Sequence, residues 1–540
     1  MSGAIENDKK PVDNCYVCKK LSALKCSNCV KVFYCGHEHQ RKDWKRHKFD
    51  CRPFEVASNE KFGRYLIASR DIKAGEILLK ESPLVCGPSQ ITCPVCIRCL
   101  QGLDETDITN DQVCAKCGWP ICLECSADKQ IEKMHHDECE ITVARGNKFS
   151  LQNYFNPHPT YQCLTVLRCL LLKEHSPDKW NKLFQLESHC DQRRGSAQWC
   201  NDREGVAKFI PRFFKCHGRW NEEDILKVAG IVQINGHEVP LTTPPFVAIY
   251  DLASLVEHSC TPNLTKSFTS KADLIFWAPN KIKKGEHLSI CYSDVLWGTE
   301  NRQHHLLQTK MFRCDCPRCS DATEFGTFFS ALKCSRSNNG CDGLLLPENQ
   351  GQWHGKWKCN KCSDIVEQQY VRSILDRAAM DLEALEKDNE LQLTQFIEQY
   401  SKWLAPNHYY ICDVELTLTQ AIGSGDPKNL QLISNYQLQK KIDLCEKLLK
   451  LFRVLAAAES RCLGALHFEL HAGLAELGRR AMQNKDNSFR KAIENSLINA
   501  EETVRLLAHE PIELSEGQIC MQAKANIESL RVILAAASDI

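Results

Sequence analysis

Cysteine and histidine pairs near the amino terminus are spaced as metal ligands are. The pairs are Cys15-x2-Cys18, Cys26-x2-Cys29, Cys35-x3-His39 and His47-x3-Cys51. Eight such ligands are enough for two tetrahedral sites, and Zn²⁺ is the ion that four sulfur or nitrogen ligands suit. A segment this short could not bury a core without metal. The pattern therefore predicts a zinc module over residues 15–51.

A second group of ligands repeats this logic with longer loops. It comprises Cys96-x2-Cys99, Cys114-x2-Cys117, Cys122-x2-Cys125 and His135-x3-Cys139. His136 could replace His135 as the ligand, and Cys93 is a spare thiol beside the first pair. The same chemistry predicts a second zinc module over residues 96–139.

Two further cysteine sets lie later in the chain. Cys314, Cys316 and Cys319 supply only three close thiolates, whereas a structural zinc site is normally closed by four ligands. A fourth ligand must come from elsewhere. A self-sufficient set of four, resembling a zinc ribbon, is formed by Cys334, Cys341, Cys359 and Cys362.

The stretch "VEHSCTPN", residues 256–263, places a histidine two residues before a cysteine. Cys260 is open to three interpretations: a nucleophile, a metal ligand or a core thiol. A nucleophile would need an activating base and a stabilised thiolate, and the nearness of His258 is not in itself evidence for that arrangement. Glu257 adds an acid directly before the histidine.

Composition limits the class of protein. Lys plus Arg and Asp plus Glu each total 68 in 540 residues, so no global charge favours nucleic acid or an anionic membrane. We expect no direct DNA binding, because the local basic runs are typical of a solvated helix face. The start of the chain lacks a secretory signal and no run approaches about 18 apolar residues, which predicts a soluble intracellular protein without membrane contact. Its 33 cysteines then indicate metal-bound thiolates.

Several kinds of element must position these residues. Residues 60–85 and 231–292 combine short apolar runs with turn residues, as β-rich units do, and residues 161–190 have a helical period. Beyond residue 365 leucines recur at helical spacing, first from Leu444 to Leu455 and then from Leu466 to Leu477. Another helix pair is expected on either side of a break at Pro511 and Gly517. The tail is either a tetratricopeptide-type array or an ordinary helical bundle.

The motifs together resemble a known family. The first zinc segment, with "FYC" followed by Gln40, Trp44 and His47, resembles a MYND finger, although His39 stands where that family usually has cysteine. The segments "GRYLIASRDIKAGE", "INGHEV", "EHSCTPN", "KKGEHLSICYSD" and "FRCDCPRC" resemble a SET domain with its post-SET loop, in the same order. Nearly the whole chain thus resembles the SMYD family, and its extra finger and ribbon suggest the arthropod A subfamily.

This resemblance implies an α+β multidomain protein with a β-rich SET domain and an all-α tail. The implied units are a MYND-type finger (15–51), the N-terminal part of the SET domain (54–95), a second, diverged MYND-like zinc module (96–139), a helical SET insert (140–230), the SET core (231–300), a post-SET zinc loop (301–325), a zinc ribbon (326–365) and a TPR-like helical domain (366–540).

The resemblance also implies how the ligands combine, because the pairs of a MYND finger interleave. In the first finger the two sets would be Cys15, Cys18, Cys35 and His39, and Cys26, Cys29, His47 and Cys51. In the second module they would be Cys96, Cys99, Cys122 and Cys125, and Cys114, Cys117, His135 and Cys139. Cys260 would complete the post-SET site with Cys314, Cys316 and Cys319. With the ribbon, the chain would bind about six zinc ions.

The implied activity is transfer of a methyl group from S-adenosylmethionine to a lysine of a histone or other protein. Tyr292 matches the tyrosine beside the transfer path. The cofactor contacts would fall on Gly63, Arg64, Asn235, Glu257, His258 and Phe312. Such catalysis consists mostly of aligning a neutral amine and excluding water.

Three residues depart from the family pattern. Glu257 replaces an asparagine, and an ionised carboxylate can only accept hydrogen bonds. Tyr65 replaces the second glycine of Gly-x-Gly, and Lys310 stands in the place of a second tyrosine. The alternative function is therefore a catalytically degenerate adaptor that binds protein partners. Under either hypothesis we expect a monomer in cytoplasm and nucleus, whose MYND finger binds proline-containing peptides or repressor complexes.

Overall fold

The computed structural model describes residues 13–26, 32–109, 112–127, 135–348, 353–425 and 427–536. Short strands and zinc-binding loops are combined with helices up to residue 366, and the remainder is helical. This mixture confirms the predicted α+β class. Among the described helices, none is both long and apolar enough to cross a membrane.

The amino-terminal finger consists of a two-stranded ribbon and one helix. These are β1 (Asp13–Asn14), β2 (Leu21–Ser22) and α1 (His37–Cys51). The helix is strongly polar, so burial of apolar surface contributes little to its stability. The helix carries the expected ligands His39, His47 and Cys51. The small core of the finger contains Cys15, Cys26, Tyr34 and Cys51. Metal binding is therefore the main interaction expected to hold α1 in place.

The SET domain is built from small sheets whose strands come from two separate parts of the chain. The strands are β3 (Phe54–Asn59), β4 (Gly63–Ala68), β5 (Glu76–Glu81), β6 (Val85–Pro88), β7 (His237–Val239), β8 (Phe246–Ile249), β9 (Glu257–His258), β10 (Thr265–Phe268), β11 (Leu274–Ala278) and β12 (Ser289–Ile290). One sheet has the order β10-β11-β5 and another β6-β8-β7, so strands before and after the insert pair with each other. β9 and β12 pair in parallel, with Glu257 opposite Ser289.

The insert between β6 and β7 contains the second zinc module and a group of helices. The helices are α2 (Glu105–Thr109), α3 (Leu123–Ala127), α4 (His136–Ala144), α5 (Pro159–His175), α6 (Pro177–Phe184), α7 (Cys190–Arg193), α8 (Ala197–Asp202), α9 (Phe209–Phe213) and α10 (Glu222–Asn235). Most apolar residues of α5 are buried, because the helix lies between the zinc module and the SET strands. One continuous core results, which includes Leu66, Trp119, Leu164 and Ile249.

Helix α10 differs from the expectation for residues 231–292, which assigned Ile231 to a β-rich unit. The helix continues to Asn235, so the Asn235-Gly236 pair ends a helix instead of forming a strand turn. The Asn221 side chain caps its amino terminus, and acidic residues in the first turn complement the helix dipole. Local capping thus favoured a helix where turn chemistry alone indicated strands.

The post-SET loop and the ribbon follow the SET core. Their elements are α11 (Thr299–Lys310), α12 (Pro317–Ser320), β13 (Leu332–Lys333), β14 (Leu344–Pro347), β15 (Trp357–Cys359) and β16 (Ile365–Val366). The four ribbon strands pair in sequence order. Trp353 and Trp357 of the ribbon share a core with the first helices of the tail.

The tail is a series of helices that mostly pack against their neighbours in the chain, except that the short α16 contacts α18 and α15 packs against α17. They are α13 (Gln368–Glu383), α14 (Glu390–Tyr400), α15 (Tyr409–Ala421), α16 (Pro427–Leu432), α17 (Asn435–Leu455), α18 (Ser460–Gln483), α19 (Ser488–Leu506) and α20 (Ser515–Ala536). The two leucine series are the buried faces of α17 and α18. Gly517 was predicted to break a helix but lies in the first turn of α20, where a Cβ would stand 2.0 Å from the Pro511 carbonyl oxygen.

The tail is joined to the SET domain along β10 and β11. Thr265 Oγ1 donates to the Ala458 carbonyl at 2.7 Å, and Ser267 Oγ donates to the His509 carbonyl at 2.8 Å. From the other side, Arg505 Nη1 donates to the Pro279 carbonyl at 3.0 Å. This sheet therefore meets the loops before α18 and after α19, together with the carboxyl-terminal end of α19.

Candidate active site and zinc centres

Cys260 lies in a cluster with the three post-SET cysteines. Its Sγ is 3.9 Å from Cys314 Sγ and 3.5 Å from Cys319 Sγ, and Cys316 completes the group. Sulfur ligands of a tetrahedral zinc stand about 3.8 Å apart, given a Zn–S bond of about 2.3 Å, whereas a disulfide needs about 2 Å. The geometry therefore suits a four-thiolate zinc site.

The hydrogen bonds of His258 argue against the interpretation of Cys260 as a nucleophile. The Tyr292 backbone N–H donates to His258 Nδ1 at 3.0 Å, so the proton of a neutral imidazole is on Nε2. That nitrogen lies 3.3 Å from Cys260 Sγ and can only donate to it. A histidine in this tautomer stabilises a thiolate but cannot remove a proton from a thiol, which favours the ligand interpretation.

Buried arginines compensate the charge of this cluster. Four thiolates around one Zn²⁺ carry a net negative charge, which is costly to bury alone. Arg302 and Arg318 are fully buried beside it, and Arg302 Nη2 is 3.9 Å from Cys319 Sγ. Glu324 accepts from both arginines at 3.0 Å, so every charge in the network has a partner. Sequence reasoning missed these three residues because nothing local distinguishes them.

The second zinc module and the ribbon also bring their expected ligands together. The three sets are Cys96, Cys99, Cys122 and Cys125; Cys114, Cys117, His135 and Cys139; and Cys334, Cys341, Cys359 and Cys362. His135 is 2% exposed and its Nε2 is 3.1 Å from Cys117 Sγ, whereas the His136 side chain is 62% exposed. Glu138 lies 3.2 Å from His135 Nδ1, as a carboxylate does that orients a metal-binding histidine. Cys93 instead donates to the Phe155 carbonyl.

In the first finger, one of the two expected sets is complete in the described residues. Cys15, Cys18, Cys35 and His39 form it, with 3.0 Å between Cys35 Sγ and His39 Nδ1. For the other set, Cys26 Sγ and Cys51 Sγ are 3.6 Å apart and His47 is buried. Its remaining member, Cys29, lies outside the described residues.

Tyr292 is held rigidly next to the post-SET cysteines. Its hydroxyl donates to the Val256 carbonyl, and its backbone N–H donates to His258. Burial, with a smaller contribution from the Glu257 carboxylate, raises the pKa of Tyr292 well above its usual value. The phenol is thus neutral at physiological pH. Phe312 also contacts the His258 ring, at 5.7 Å between centroids, so both aromatic residues pack against the histidine.

Glu257 has a partner that sequence reasoning did not identify. His287 Nδ1 lies 2.9 Å and 3.0 Å from the two Glu257 carboxylate oxygens. The His287 ring also stacks on Tyr65, with centroids 4.6 Å apart and planes at 16°. Two of the three departures from the family pattern are therefore joined through one histidine. The parallel pairing of β9 with β12 makes this contact, and the His287 carbonyl is fixed by Asn263 at 2.8 Å.

Lys310, the third departure, also points into this region. Its Nζ donates to the Ile234 carbonyl at 2.7 Å and lies 5.5 Å from the centroid of the Tyr292 ring. Burial lowers the pKa of Lys310 to about 8, and the positive charge of Lys266 acts in the same direction. An amine therefore stands where the family resemblance implied a phenol.

The other expected cofactor contacts have different environments. Gly63 has φ of +63°, and a Cβ there would meet no atom within 4 Å, so its backbone borders open space. Arg64 donates to the Gln185 carbonyl at 2.8 Å. Asn235 is buried and its amide donates to the Glu187 carbonyl at 2.7 Å. A ligand can reach the Gly63 backbone, whereas the Asn235 amide group is already engaged with protein.

Comparison with known proteins agrees with these features. The family model of the MYND finger matches residues 15–51 and that of the SET domain matches residues 63–293. SET domain-containing protein SmydA-8, isoform B, of Drosophila melanogaster is 31% identical over 338 residues, which are 59% of this chain and 69% of the relative. Histone-lysine N-methyltransferase SMYD3 of Homo sapiens is 26% identical over 284 residues, 49% of this chain and 61% of the relative.

One solved structure, Rubisco LSMT bound to AdoMet, covers 91% of this chain and 92% of its own at 11% identity, with a TM-score of 0.27. That score is too low to establish a shared fold. The family models and the Cys/His clusters define a SET-domain protein with a MYND finger and further sites suited to zinc. The chain belongs to the SMYD family, and the SmydA-8 relative agrees with the expected A subfamily.

Proposed function

We propose that this protein is an S-adenosylmethionine-dependent protein-lysine N-methyltransferase. The observation that carries the proposal is the fixed position of Tyr292, whose hydroxyl and backbone N–H are both engaged beside a closed four-cysteine cluster. Methyl transfer to an amine depends mostly on alignment, so a rigid phenol is suited to the task. Histone-lysine N-methyltransferases are among the chain's relatives.

Several residues of the site fit the cofactor. The open backbone at Gly63 permits close approach, and Glu257 is an acid suited to an α-ammonium group. Phe312 and His258 form a ring surface beside Tyr292. When bound, S-adenosylmethionine supplies an electrophilic methyl group on a sulfonium. The protein's own residues would bind it, position the acceptor amine and keep the Tyr292 phenol protonated.

Methyl transfer from labelled cofactor to a histone mixture or cell extract tests the proposal. We expect Tyr292→Phe to lower the rate by about 100-fold or more, because the hydroxyl acts at the reacting centre. Tyr250→Phe is the matched control, since the Tyr250 hydroxyl likewise donates to a carbonyl, that of Ala272 at 2.7 Å, elsewhere in the SET domain. Equal signal from wild type and Tyr292→Phe would reject the enzymatic proposal.

Cofactor binding is tested separately by calorimetric titration into zinc-loaded protein. We expect measurable binding by the wild type, and weaker binding by Glu257→Gln, which removes the charge that faces His287. Glu257→Asn restores the residue usual in the family. If it binds the cofactor as well as the wild type does, an amide can replace the carboxylate; if it binds more weakly, the carboxylate itself is needed. If the wild type does not bind but the combination Glu257→Asn, Tyr65→Gly and Lys310→Tyr does, the pocket is degenerate.

An adaptor function is the second candidate, and the exposed apolar surface of the first finger favours it. Leu21 is 74% exposed and Leu24 is 60% exposed, and Tyr16 and Trp44 are also accessible. Such a surface suits a partner protein, and we propose proline-containing peptides or a repressor complex as partners. Binding that is unchanged by Tyr292→Phe, together with no methyl transfer, would make the adaptor the better description.

Metal content and location complete the proposal. We propose about six zinc ions per chain, because each structural site needs four ligands. Elemental analysis of metal-replete protein measures this directly, and three ions or fewer would contradict the two-finger arrangement. We further propose that the protein acts on histone or other protein substrates. It would be a monomer, which a measurement of its size in solution tests, and would be distributed between cytoplasm and nucleus, which imaging tests.

A further inference from the structure

Lys310 differs from Lys441 and Lys447, two lysines of the tail that have an acidic partner as well as a carbonyl. Lys441 Nζ donates to the Ile422 carbonyl at 3.1 Å and also reaches the Glu469 carboxylate. Lys447 Nζ similarly contacts both oxygens of Glu415. Lys310 Nζ donates to the Ile234 carbonyl, and in the described part of the chain no acid forms an ion pair with it. A buried ammonium without a counter-ion is costly, so this amine is biased towards its neutral form.

The groups around Lys310 strengthen this bias. Its Coulombic neighbours are Lys266, whose charge lowers the pKa of Lys310, and the rings of His237 and His305, which Lys310 affects in turn. Burial keeps His237 neutral by lowering its pKa well below the usual value. Burial is the larger effect on Lys310 and brings its pKa to about 8. A substantial fraction of the protein thus has a neutral amine at this position at mildly alkaline pH.

The hydrogen bond to Ile234 leaves the nitrogen lone pair available. A neutral primary amine has two N–H groups, and the carbonyl at 2.7 Å accepts one of them. The lone pair therefore remains free to attack an electrophile. Lys310 is the last residue of α11, and Met311 after it has φ of +61°, so the chain turns there and carries Phe312 towards His258. The amine, Tyr292 and the His258–Phe312 ring surface consequently occupy one region.

We propose that Lys310 is an internal methyl acceptor, methylated by the protein's own SET domain. The proposal rests on the proposed methyltransferase function. The lone pair of Nζ forms a bond to the methyl carbon of S-adenosylmethionine, and the S–CH₃ bond breaks with its electron pair on sulfur. The products are S-adenosylhomocysteine and a methylated ammonium, which loses a proton to water. Among the described residues, the Ile234 carbonyl is the hydrogen-bond partner that this flexible side chain would release in reaching the methyl group.

The test uses full-length, zinc-loaded protein and S-adenosylmethionine with a trideuterated methyl group. Peptide mass spectrometry then separates newly added methyl groups from any acquired during expression. We expect one labelled methyl on Lys310, with Lys266 and Lys441 unlabelled as internal controls. The label should be lost in Lys310→Arg, and strongly reduced in Tyr292→Phe but not in Tyr250→Phe.

The kinetics distinguish transfer within one molecule from transfer between molecules. We expect a first-order rate that does not change on tenfold dilution of the protein. Because the neutral amine reacts, the rate should rise by about tenfold per pH unit below the Lys310 pKa of about 8 and become level above it. A label on Lys310 whose rate falls with dilution would reject the intramolecular step.

The outcomes also separate this inference from the proposed function. If the protein binds the cofactor and methylates an added protein but leaves Lys310 unlabelled, the inference is wrong and the enzymatic function stands. If titration shows no cofactor binding, the proposed function fails and the inference fails with it. A Lys310 that only caps the carboxyl end of α10 would show binding and turnover without any label at residue 310.

Discussion

The two amino-terminal zinc modules have similar ligand patterns but different surroundings. The first finger has its own small core, formed by Cys15, Cys26, Tyr34 and Cys51 among the described residues. The second module instead belongs to the SET core, where Trp119 stacks on Phe149 at 4.1 Å and meets the edge of the Tyr161 ring at 5.4 Å. The Tyr161 hydroxyl also donates to the Val95 carbonyl at 2.7 Å.

This difference shows that ligand spacing determines the metal but not the role of the module. The first finger exposes an apolar surface, and its core cluster is separate from that of the SET domain. In the second module the zinc ligands and the core residues alternate along the same segment, so metal and core must form together. We therefore expect the first module to serve binding and the second to serve stability, and four predictions test this contrast.

The largest effect is expected from removing a zinc ligand of the second module. Cys117→Ser should abolish cooperative folding of the SET domain, because structural zinc supplies about 10 kcal/mol or more of folding free energy and Cys117 is fully buried. Cys35→Ser is the counterpart in the first finger and should change the unfolding free energy of the SET core by less than about 1 kcal/mol. Zinc analysis and thermal unfolding measure both variants, and equal destabilisation would refute the contrast.

A smaller but still large effect is expected at the aromatic core of the second module. Trp119→Ala should cost about 3–5 kcal/mol, since it leaves a cavity beneath Phe149 and Tyr161. Trp44→Ala in the first finger should cost less than about 1 kcal/mol, because that ring is 38% exposed. Denaturant unfolding followed by circular dichroism gives both values. A loss below about 1 kcal/mol for Trp119→Ala would contradict a shared core.

An intermediate effect is expected at the arginine that links the second module to the SET strands. Arg168 donates to Glu138, to the Cys86 carbonyl at 2.9 Å and to the Ile97 carbonyl at 2.7 Å. Arg168→Met should cost about 3 kcal/mol, because the buried Glu138 carboxylate would lose its arginine partner and keep only His135. Arg46→Met removes the pair with Asp43, in which the arginine is 44% exposed, and should cost at most about 1 kcal/mol, because Asp43 keeps the Tyr34 hydroxyl as a donor. Comparable losses in chemical denaturation would count against the difference between modules.

The smallest effect on stability is expected on the exposed face of the first finger. Replacing Leu21 and Leu24 together by Asp should leave the unfolding free energy within about 0.5 kcal/mol, because both side chains are mostly exposed. The same change should weaken capture of proline-containing peptides by at least about tenfold if this face is the binding surface. Unchanged peptide affinity in a fluorescence titration would place binding elsewhere.

Much of the site followed from local patterns, but its electrostatics did not. The segments around Tyr292 and His258 were recognisable from short motifs, because the residues of each motif are adjacent in the chain. His287 carries no such signal, although it lies in the quoted stretch "KKGEHLSICYSD". Its contact with Glu257 depends on the parallel pairing of β9 and β12, and the hydrophobic periodicity of the sequence does not predict which strands pair. The helix through Asn235 was missed because a capping residue at Asn221 outweighed the turn residues that follow.

The sequence by itself determined the chemistry of the zinc modules and the family. Ligand type and spacing are local properties, and a tetrahedral ion accepts few alternatives. Only the tertiary structure decided which partners Glu257 and Lys310 have. Glu257 has a histidine partner 30 residues away. Lys310 donates to a carbonyl 76 residues away, and no acid in the described ranges forms an ion pair with it. Charge state and reactivity depend on burial and on partners distant in sequence, and these exist only once the chain has folded.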